Sequence, residues 1–276
     1  MLMLTNQRQI LTPEQVKDLF VQPFLKQSVV SQVTTVTHID SHETRFPIIT
    51  KDPTASWTAE GEEISPSDPT VSEVKVTPAK VAGLTVASNE MMADMLGEAM
   101  SIVGDGLVRQ AVNAVDAAFF AESTEENAPA GLGSHEDVNA IEGTLKDLDI
   151  FQDAISAARL EGREVTNFVA NPTDALKLAK LKEGTNSIRG LLQPDPTQPN
   201  ATLIEGRRLI VTSHCPEGTI WAIPKDAAFT AIRKDATVES DPSPYFSSDR
   251  TAIRTTMRVG FAIVHPKAIT KITVGG

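Results

Sequence analysis

Apolar and polar positions alternate along the chain in an ordinary way except between Phe46 and Phe120, where two unusual patterns follow one another. Phe46, Ile48 and Ile49, and later Val74 and Val76, form short apolar runs on either side of a polar segment. That segment carries Trp57, Glu60, Gly61, Glu62 and Glu63 and a turn from Pro66 to Pro69. The pattern predicts a long two-stranded β-ribbon. An isolated hairpin is marginal in water, so something outside this stretch has to cover its apolar face. Beyond Leu84 and Val86 the spacing changes. Ser88 or Asn89 can cap a helix, and Met91, Met92, Met95, Leu96, Ala99, Ile102, Val103, Leu107, Val108, Ala111, Val112, Val115 and Phe119 recur mostly at intervals of three and four. A continuous helix over 89–120 would extend roughly 48 Å at 1.5 Å per residue.

Before the ribbon, Thr12 and Pro13 offer an N-cap and a first-turn proline for a short helix through Val16, Leu19 and Phe20, which Pro23 interrupts. Residues 28–39 alternate at Val29, Ser31, Val33 and Thr35 and read as an extended arm. After the long helix, 122–135 is a Gly-, Pro- and acid-rich turn region. A helix is expected from Thr144 as cap, with Asp147 in its first turn, Leu148, Phe151, Ile155 and Ala158 on its apolar face, and Gly162 as its stop. A strand over 166–170 leads into Asn171, Pro172, Thr173 and Asp174, a cap sequence for a helix over 175–183 that Gly184 ends. Residues 185–200 hold three prolines and no periodicity, and read as a long exposed loop. Strands are expected at 209–211, 219–223, 229–232, 250–264 and 269–274. In the longest, Ile253, Thr255, Met257 and Val259 alternate with Arg254, Thr256 and Arg258. The order of elements argues an α+β fold, with neither internal repeats nor low-complexity tracts.

At 276 residues, 41% of them hydrophobic, the chain can bury one large core or two smaller ones. Its single cysteine, Cys215, permits no intrachain disulfide and no cysteine-based metal cage. No apolar run approaches the ~20 residues of a membrane span, and residues 1–4 are too short for a signal-peptide core. A soluble protein made in the cytoplasm is expected, with no membrane partner. The net charge of −11 argues against nucleic-acid binding by the bulk of the surface, because affinity for phosphate comes from clustered Lys and Arg.

Catalytic devices are scarce. There is no phosphate-binding loop, no nucleophile elbow and no zinc helix. Gly131 and Gly133 are a fragment of a dinucleotide fingerprint without its third glycine, and a plain turn is the simpler reading. The histidines, His38, His42, His135, His214 and His265, do not fall into metal spacing; His38 and His42 are four apart but sit in extended surroundings. His214 beside Cys215 resembles a base with its nucleophile, yet such partners usually meet through the fold, and Cys215 reads better as a small buried apolar residue. Glu60, Glu62 and Glu63 lack the apolar wall that would tune their acidity, so a solvated or partner-facing role fits them better. No catalytic, cofactor-binding or metal-ligating residue and no cofactor is expected, and the chemistry points away from an enzyme.

The motifs in order are an extended arm; Phe46-Pro47; Trp57, Glu60, Gly61 and Glu62; the run from Val81 to Glu90; the long helix; Pro129 to Leu132; Asn171-Pro172; Gly206 to Val211; and the closing run from Arg258 through His265-Pro266 to Ala268. In that order they resemble the major capsid proteins of tailed bacteriophages, the Hong Kong 97-type fold. The resemblance covers about Pro13 to Val274. It implies an N-terminal arm (1–45), an extended β-ribbon loop (46–79), a peripheral domain (80–143) with its spine helix at about 89–120, an axial domain (144–225), a return to the peripheral domain (226–263) and a terminal strand of the axial domain (264–276).

The same resemblance implies self-assembly as hexamers and pentamers into an icosahedral shell around double-stranded DNA, bound without sequence specificity. It places Phe46, Ile48, Lys51, Trp57, Glu60, Glu62, Glu63, Val74 and Val76 on the intersubunit loop, and Arg189, Leu191, Gln193 and Asp195 near the capsomer centre. Gly83, Gly97 and Gly104 are hinge candidates. Some members weld neighbours through a Lys–Asn isopeptide bond with a catalytic glutamate. Counting back from His265-Pro266, Asp249 and Thr256 stand at those positions, so a non-covalent shell is expected and Lys51 keeps an ordinary surface role. A portal protein at one vertex and a separate scaffolding or cement protein, or none, are the further partners implied, since the chain begins close to the arm. The alternative within the fold is an encapsulin-like nanocompartment shell around a cargo enzyme. The alternative outside it is a soluble enzyme using His214-Cys215 or the glutamate cluster.

Overall fold

A computed structural model of the chain describes residues 27–51, 53–64, 66–90, 98–122, 124, 126–184, 189–194 and 202–275. The short helix expected after Thr12, the hinge candidate Gly97 and the loop residue Asp195 lie outside these residues. The described chain opens with α1 (Val29–Val33) and β1 (Thr35–His38). The extended arm expected over 28–39 is therefore helical in its first half. Ser28 supplies the reason: its Oγ accepts the Ser31 N–H at 3.3 Å as an N-cap.

The ribbon follows as β2 (Thr44–Lys51) and β3 (Thr70–Val76), paired antiparallel from Thr44 opposite Val76 to Lys51 opposite Thr70. Next come β4 (Ala79–Ser88) and the long helix α2 (Glu98–Phe120). The helix expected over 89–120 is thus present from Glu98 onward, roughly 34 Å of it at 1.5 Å per residue, and residues 89 and 90 are helical as well. The chain continues through β5 (Asn139–Gly143), α3 (Asp149–Leu160), β6 (Asn167–Ala170) and α4 (Pro172–Ala179). The remaining strands are β7 (Gln193–Pro194), β8 (Thr202–Ile204), β9 (Arg207–Val211), β10 (Thr219–Ile223), β11 (Ala228–Asp241), β12 (Arg250–Ile263) and β13 (Thr270–Val274).

Two sheets carry the body. One has the order β1-β11-β12-β4, with β1 parallel to β11 and the other pairs antiparallel. The second has the order β5-β13-β10-β6-β9-β8-β7. On α2, Val108, Val112, Val115, Phe119 and Phe120 are buried against Met257, Val259, Phe261 and Ile263 of the first sheet. Phe119 meets Phe261 edge-on at 4.9 Å, a favoured aromatic geometry. The same core runs on through Val169, Ile210, Trp221 and Ile223, so both sheets share it. On its other face, the second sheet buries Phe168, Ile204, Ile220 and Ile272 under Phe151, Ala154, Ile155 and Ala158 of α3 and Leu178 of α4.

Local expectations differ from the structure elsewhere too: β11, expected over 229–232, runs on to Asp241, and β8 is unforeseen. The Asn139–Gly143 strand, unforeseen, pairs in parallel with β13 and so belongs to the second sheet, although it precedes the boundary drawn at residue 144. Helix α3 starts at Asp149 with Leu148 at its cap, because 144–146 closes a turn of its own and Asp147 Oδ1 accepts the Asp149 N–H at 3.2 Å from outside the helix. Helix α4 begins as its cap sequence requires, with Asn171 Oδ1 accepting the Thr173 N–H at 3.0 Å, but ends at Ala179 rather than 183. Within the loop expected over 185–200, Gln193–Pro194 pairs with β8. A two-residue edge strand ending in proline leaves no periodic signal to read.

Candidate functional site

The ribbon has a docked root and a free tip. At the root, Val76 is buried and Phe46, Ile48 and Val74 are half-buried against Ala231, Ala262, Val264 and Phe229, on the face of the first sheet opposite α2. The rings of Phe46 and Phe229 lie 5.5 Å apart. Gly260 makes this approach possible: a Cβ there would stand 2.7 Å from Val76 Cγ1 and 3.3 Å from Pro78 Cα. On the outer face Arg45 stands opposite Lys75. Two like charges in register repel, and Glu43 and Glu73 offset this. Lys75 Nζ is 2.7 Å from Glu43, and Arg45 is 3.1 Å from Glu73 and 3.6 Å from Glu43. The Lys75 hydrogen bond holds the Glu43 carboxyl below its usual range.

Beyond the root the apolar residues lose their cover. Ile49 and Val71, directly opposite each other, are 55% and 57% exposed, Ile64 is 75% exposed, and Trp57 is fully exposed. Glu60, Glu62 and Glu63 are exposed around a turn closed by the Glu62 N–H on the Ala59 carbonyl at 3.1 Å, with Gly61 at φ 86°. Across the tip, Ser67 Oγ donates to the Thr54 carbonyl at 3.1 Å. Lys51 ends β2, past an irregularity after Ile49. The tip is thus shaped but not packed.

The arm is fixed to the long helix by one carboxylate. Asp116, only 2% exposed on α2, accepts Ser28 Oγ at 2.6 Å and the N–H groups of Val29 and Val30 at 2.9 and 3.2 Å. Burial pushes its pKa up, and these hydrogen bonds pull it part of the way back. The two partners stand 88 residues apart, and no local pattern links them.

The remaining candidates sit apart from the ribbon tip and from one another. Arg189 is exposed and Leu191 half-buried in a turn where the Leu191 N–H reaches the Leu181 carbonyl at 2.9 Å, and Gln193 belongs to β7. Asp249, at φ 52°, turns the chain into β12, and its Oδ1 accepts from Asn89 Nδ2 at 2.7 Å. The Thr256 hydroxyl lies 3.1 Å from that of Thr237. Gly83 sits in β4 where a Cβ would come 3.2 Å from Leu107 Cδ2, so close helix–strand packing explains it, whereas Gly104 has ordinary space beside Val238. Gly131 and Gly133 cross the end of α2, where Cβ atoms would stand 2.1 Å from the Ala118 carbonyl and 2.5 Å from that of Ala121. Cys215 is buried with Sγ 3.2 Å from the Thr219 carbonyl, and burial pushes its thiol up to about 12. Such a thiol is not a ready nucleophile.

A subunit with two sheets on one core, a long helix and a projecting ribbon with an uncovered tip has the form of a shell-building protein of the Hong Kong 97 type. Residues 9–274 match the phage capsid family. The chain belongs to that family: it is a major capsid protein, a virion component whose copies assemble into a shell. Solved structures agree in fold. The capsid of the empty GTA particle superposes with a TM-score of 0.75 at 17% identity over 90% of each chain. The Gordonia phage Cozz protein gives 0.70 at 16% identity over 91% of this chain and 87% of its own. That of Mycobacterium phage Adephagia gives 0.69 at 14% identity over 90% of each. The family match favours the viral reading over the nanocompartment. No curated protein matches the chain. Among the described residues, no helix is long and apolar enough to cross a membrane.

Proposed function

We propose that this capsid protein assembles as hexamers and pentamers into an icosahedral shell that encloses the double-stranded DNA of a tailed bacteriophage, and that the shell is held without covalent links. The four-stranded sheet with α2 serves as the peripheral domain and the seven-stranded sheet as the axial one. Arg189, Leu191 and Gln193 then lie near the capsomer centre. Gly104, with room beside it, is the position at which the long helix can bend between environments. A portal protein at one vertex, with a separate scaffolding or cement protein, completes the assembly.

The observation that carries this reading is the ribbon: docked at its root, shaped at its tip, and uncovered along Ile49, Trp57, Ile64 and Val71. Exposed apolar groups gathered on a projection mark a contact with another molecule, and many modest contacts per subunit add up in a closed shell. The acidic balance suits a container that must not grip its DNA. Negative-stain microscopy of the purified protein tests the proposal. Shells are expected, and deleting residues 56–70 should leave a folded subunit that no longer forms them. Normal shells from that deletion, or a compact monomer at high concentration, would overturn it.

A further inference from the structure

The ribbon tip is strongly acidic. Residues 52–69 contain five carboxylates, Asp52, Glu60, Glu62, Glu63 and Asp68, and no lysine or arginine. Elsewhere on the same subunit, three cations stand in a row across three strands. Arg258 on β12 is in register with Lys80 on β4 and with Lys234 on β11. Its neighbours Met257 and Val259 are buried towards α2, so Arg258 faces the other way, on the side of the sheet that also receives the ribbon root. Lys80 and Lys234 are exposed and Arg258 is half-buried.

Like charges directly opposite in a sheet destabilise it. Among the described residues neither Lys80 nor Arg258 has an ion-pair partner. Glu239, the carboxylate within electrostatic reach of Lys234, is already bound to Arg254. Among the described residues the positive row is therefore unbalanced, in a chain of net charge −11. Its own tip does not cover the row, since every one of the described tip carboxylates is exposed.

We propose that the acidic ribbon tip of one subunit seats on the Lys80–Arg258–Lys234 row of a second copy. This rests on the reading that the ribbon lies across a neighbour, and adds which surface receives it. Fit in charge and in place supports it. The row begins two residues from Gly260, where the recipient's own ribbon root is packed, so the arriving tip finds both a wall and a bed of cations. Trp57 brings a flat ring on which a guanidinium can stack. DNA phosphate is the less favoured occupant, because three cations make few of the phosphate contacts on which affinity for a duplex depends.

Arg258→Glu in the full chain tests the contact cleanly, because the new carboxylate lies between two lysines and the isolated subunit should melt no lower than wild type. At ~0.1 M salt the protein concentration at which shells first form should rise about tenfold or more, the effect of ~1.4 kcal/mol. Glu60→Lys, Glu62→Lys and Glu63→Lys together should impair assembly similarly, and combining them with Arg258→Glu should restore much of it. Unaltered assembly by Arg258→Glu, or a combined variant no better than its parents, would refute the docking. So would loss of binding to a 30-base-pair duplex in Arg258→Glu with assembly intact, which would make the row a phosphate site. If deletion of 56–70 abolishes shells while Arg258→Glu does not, the ribbon reading survives and this inference falls; if the deletion also assembles normally, both fall.

Discussion

Ser28 and Asp116, 88 residues apart in sequence, meet through a 2.6 Å hydrogen bond with both residues buried, and the same carboxylate caps the first two N–H groups of α1. These three donors hold the described part of the arm to the long helix. Asp116→Ala leaves those donors buried without an acceptor, at about 1–3 kcal/mol for each unsatisfied group. Partial relaxation should bring the total to about 2–4 kcal/mol. Urea denaturation should show the loss, and limited proteolysis should cut the arm faster in the variant; unchanged stability would show that the latch carries no weight.

Two histidines give the subunit an acid-sensitive side. Burial lowers the pKa of His135, and burial followed by the charge of Arg163 lowers that of His265, whose Nε2 lies 2.7 Å from an Arg163 nitrogen. Asp226, also paired with Arg163, and Glu161 oppose the shift at His265. With folded values below the unfolded 6.5, the unfolded chain binds more protons in that window. The stability these groups contribute is therefore fully present above pH ~6.5 and is lost as pH falls through their lowered values. The melting temperature should drop between pH 7.5 and 5.5, and His135→Asn with His265→Asn should flatten that dependence. Asp116 has the opposite sign: its raised value makes its ionisation a cost at neutral pH, so it adds nothing to acid lability.

Glycine substitutions should separate close approach from plain turn. Gly131→Ala places a methyl group 2.1 Å from the Ala118 carbonyl, a backbone atom that cannot retreat, and should cost more than about 4 kcal/mol or prevent folding. Gly184→Ala meets nothing within 4 Å and should change stability by no more than about 0.5 kcal/mol. Soluble expression and thermal melts compare the two directly.

Boiling assembled particles in SDS should release a single band of monomer. Asp249 is held in a left-handed turn against Asn89, and the Thr256 hydroxyl is bound to that of Thr237. Neither side chain has the chemistry of the asparagine or glutamate of a cross-linking site. A ladder of linked subunits would contradict this.

Cys215 should resist alkylation by iodoacetamide in the native subunit and react once the protein is unfolded, since its thiol is 1% exposed and pushed up to about 12. Rapid labelling at neutral pH would reopen the question of a nucleophile beside His214.

What the sequence disclosed follows from how local each signal is. The cap at Asn171, the strand Thr219–Ile223 and the alternation of β12 are written in neighbouring residues and could be read directly. Asn139–Gly143 could not, because a strand with one large apolar residue, Ile141, owes its place to β13, some 130 residues away. The cation row escaped for the same reason: Lys80, Lys234 and Arg258 are scattered in sequence and meet only through strand register. Gly131 and Gly260 carry a packing requirement that no spacing rule encodes, since their neighbours come from other elements. The ribbon, by contrast, advertised itself by lacking cover.

Strand β13 lies inside the larger sheet, between β5 and β10, and not at its rim. Without it β5 is cut off from β10, and the buried place of Ile272 stands empty. A chain cut before Thr270 is thus expected to leave its larger sheet in two pieces and the underside of α3 without its floor.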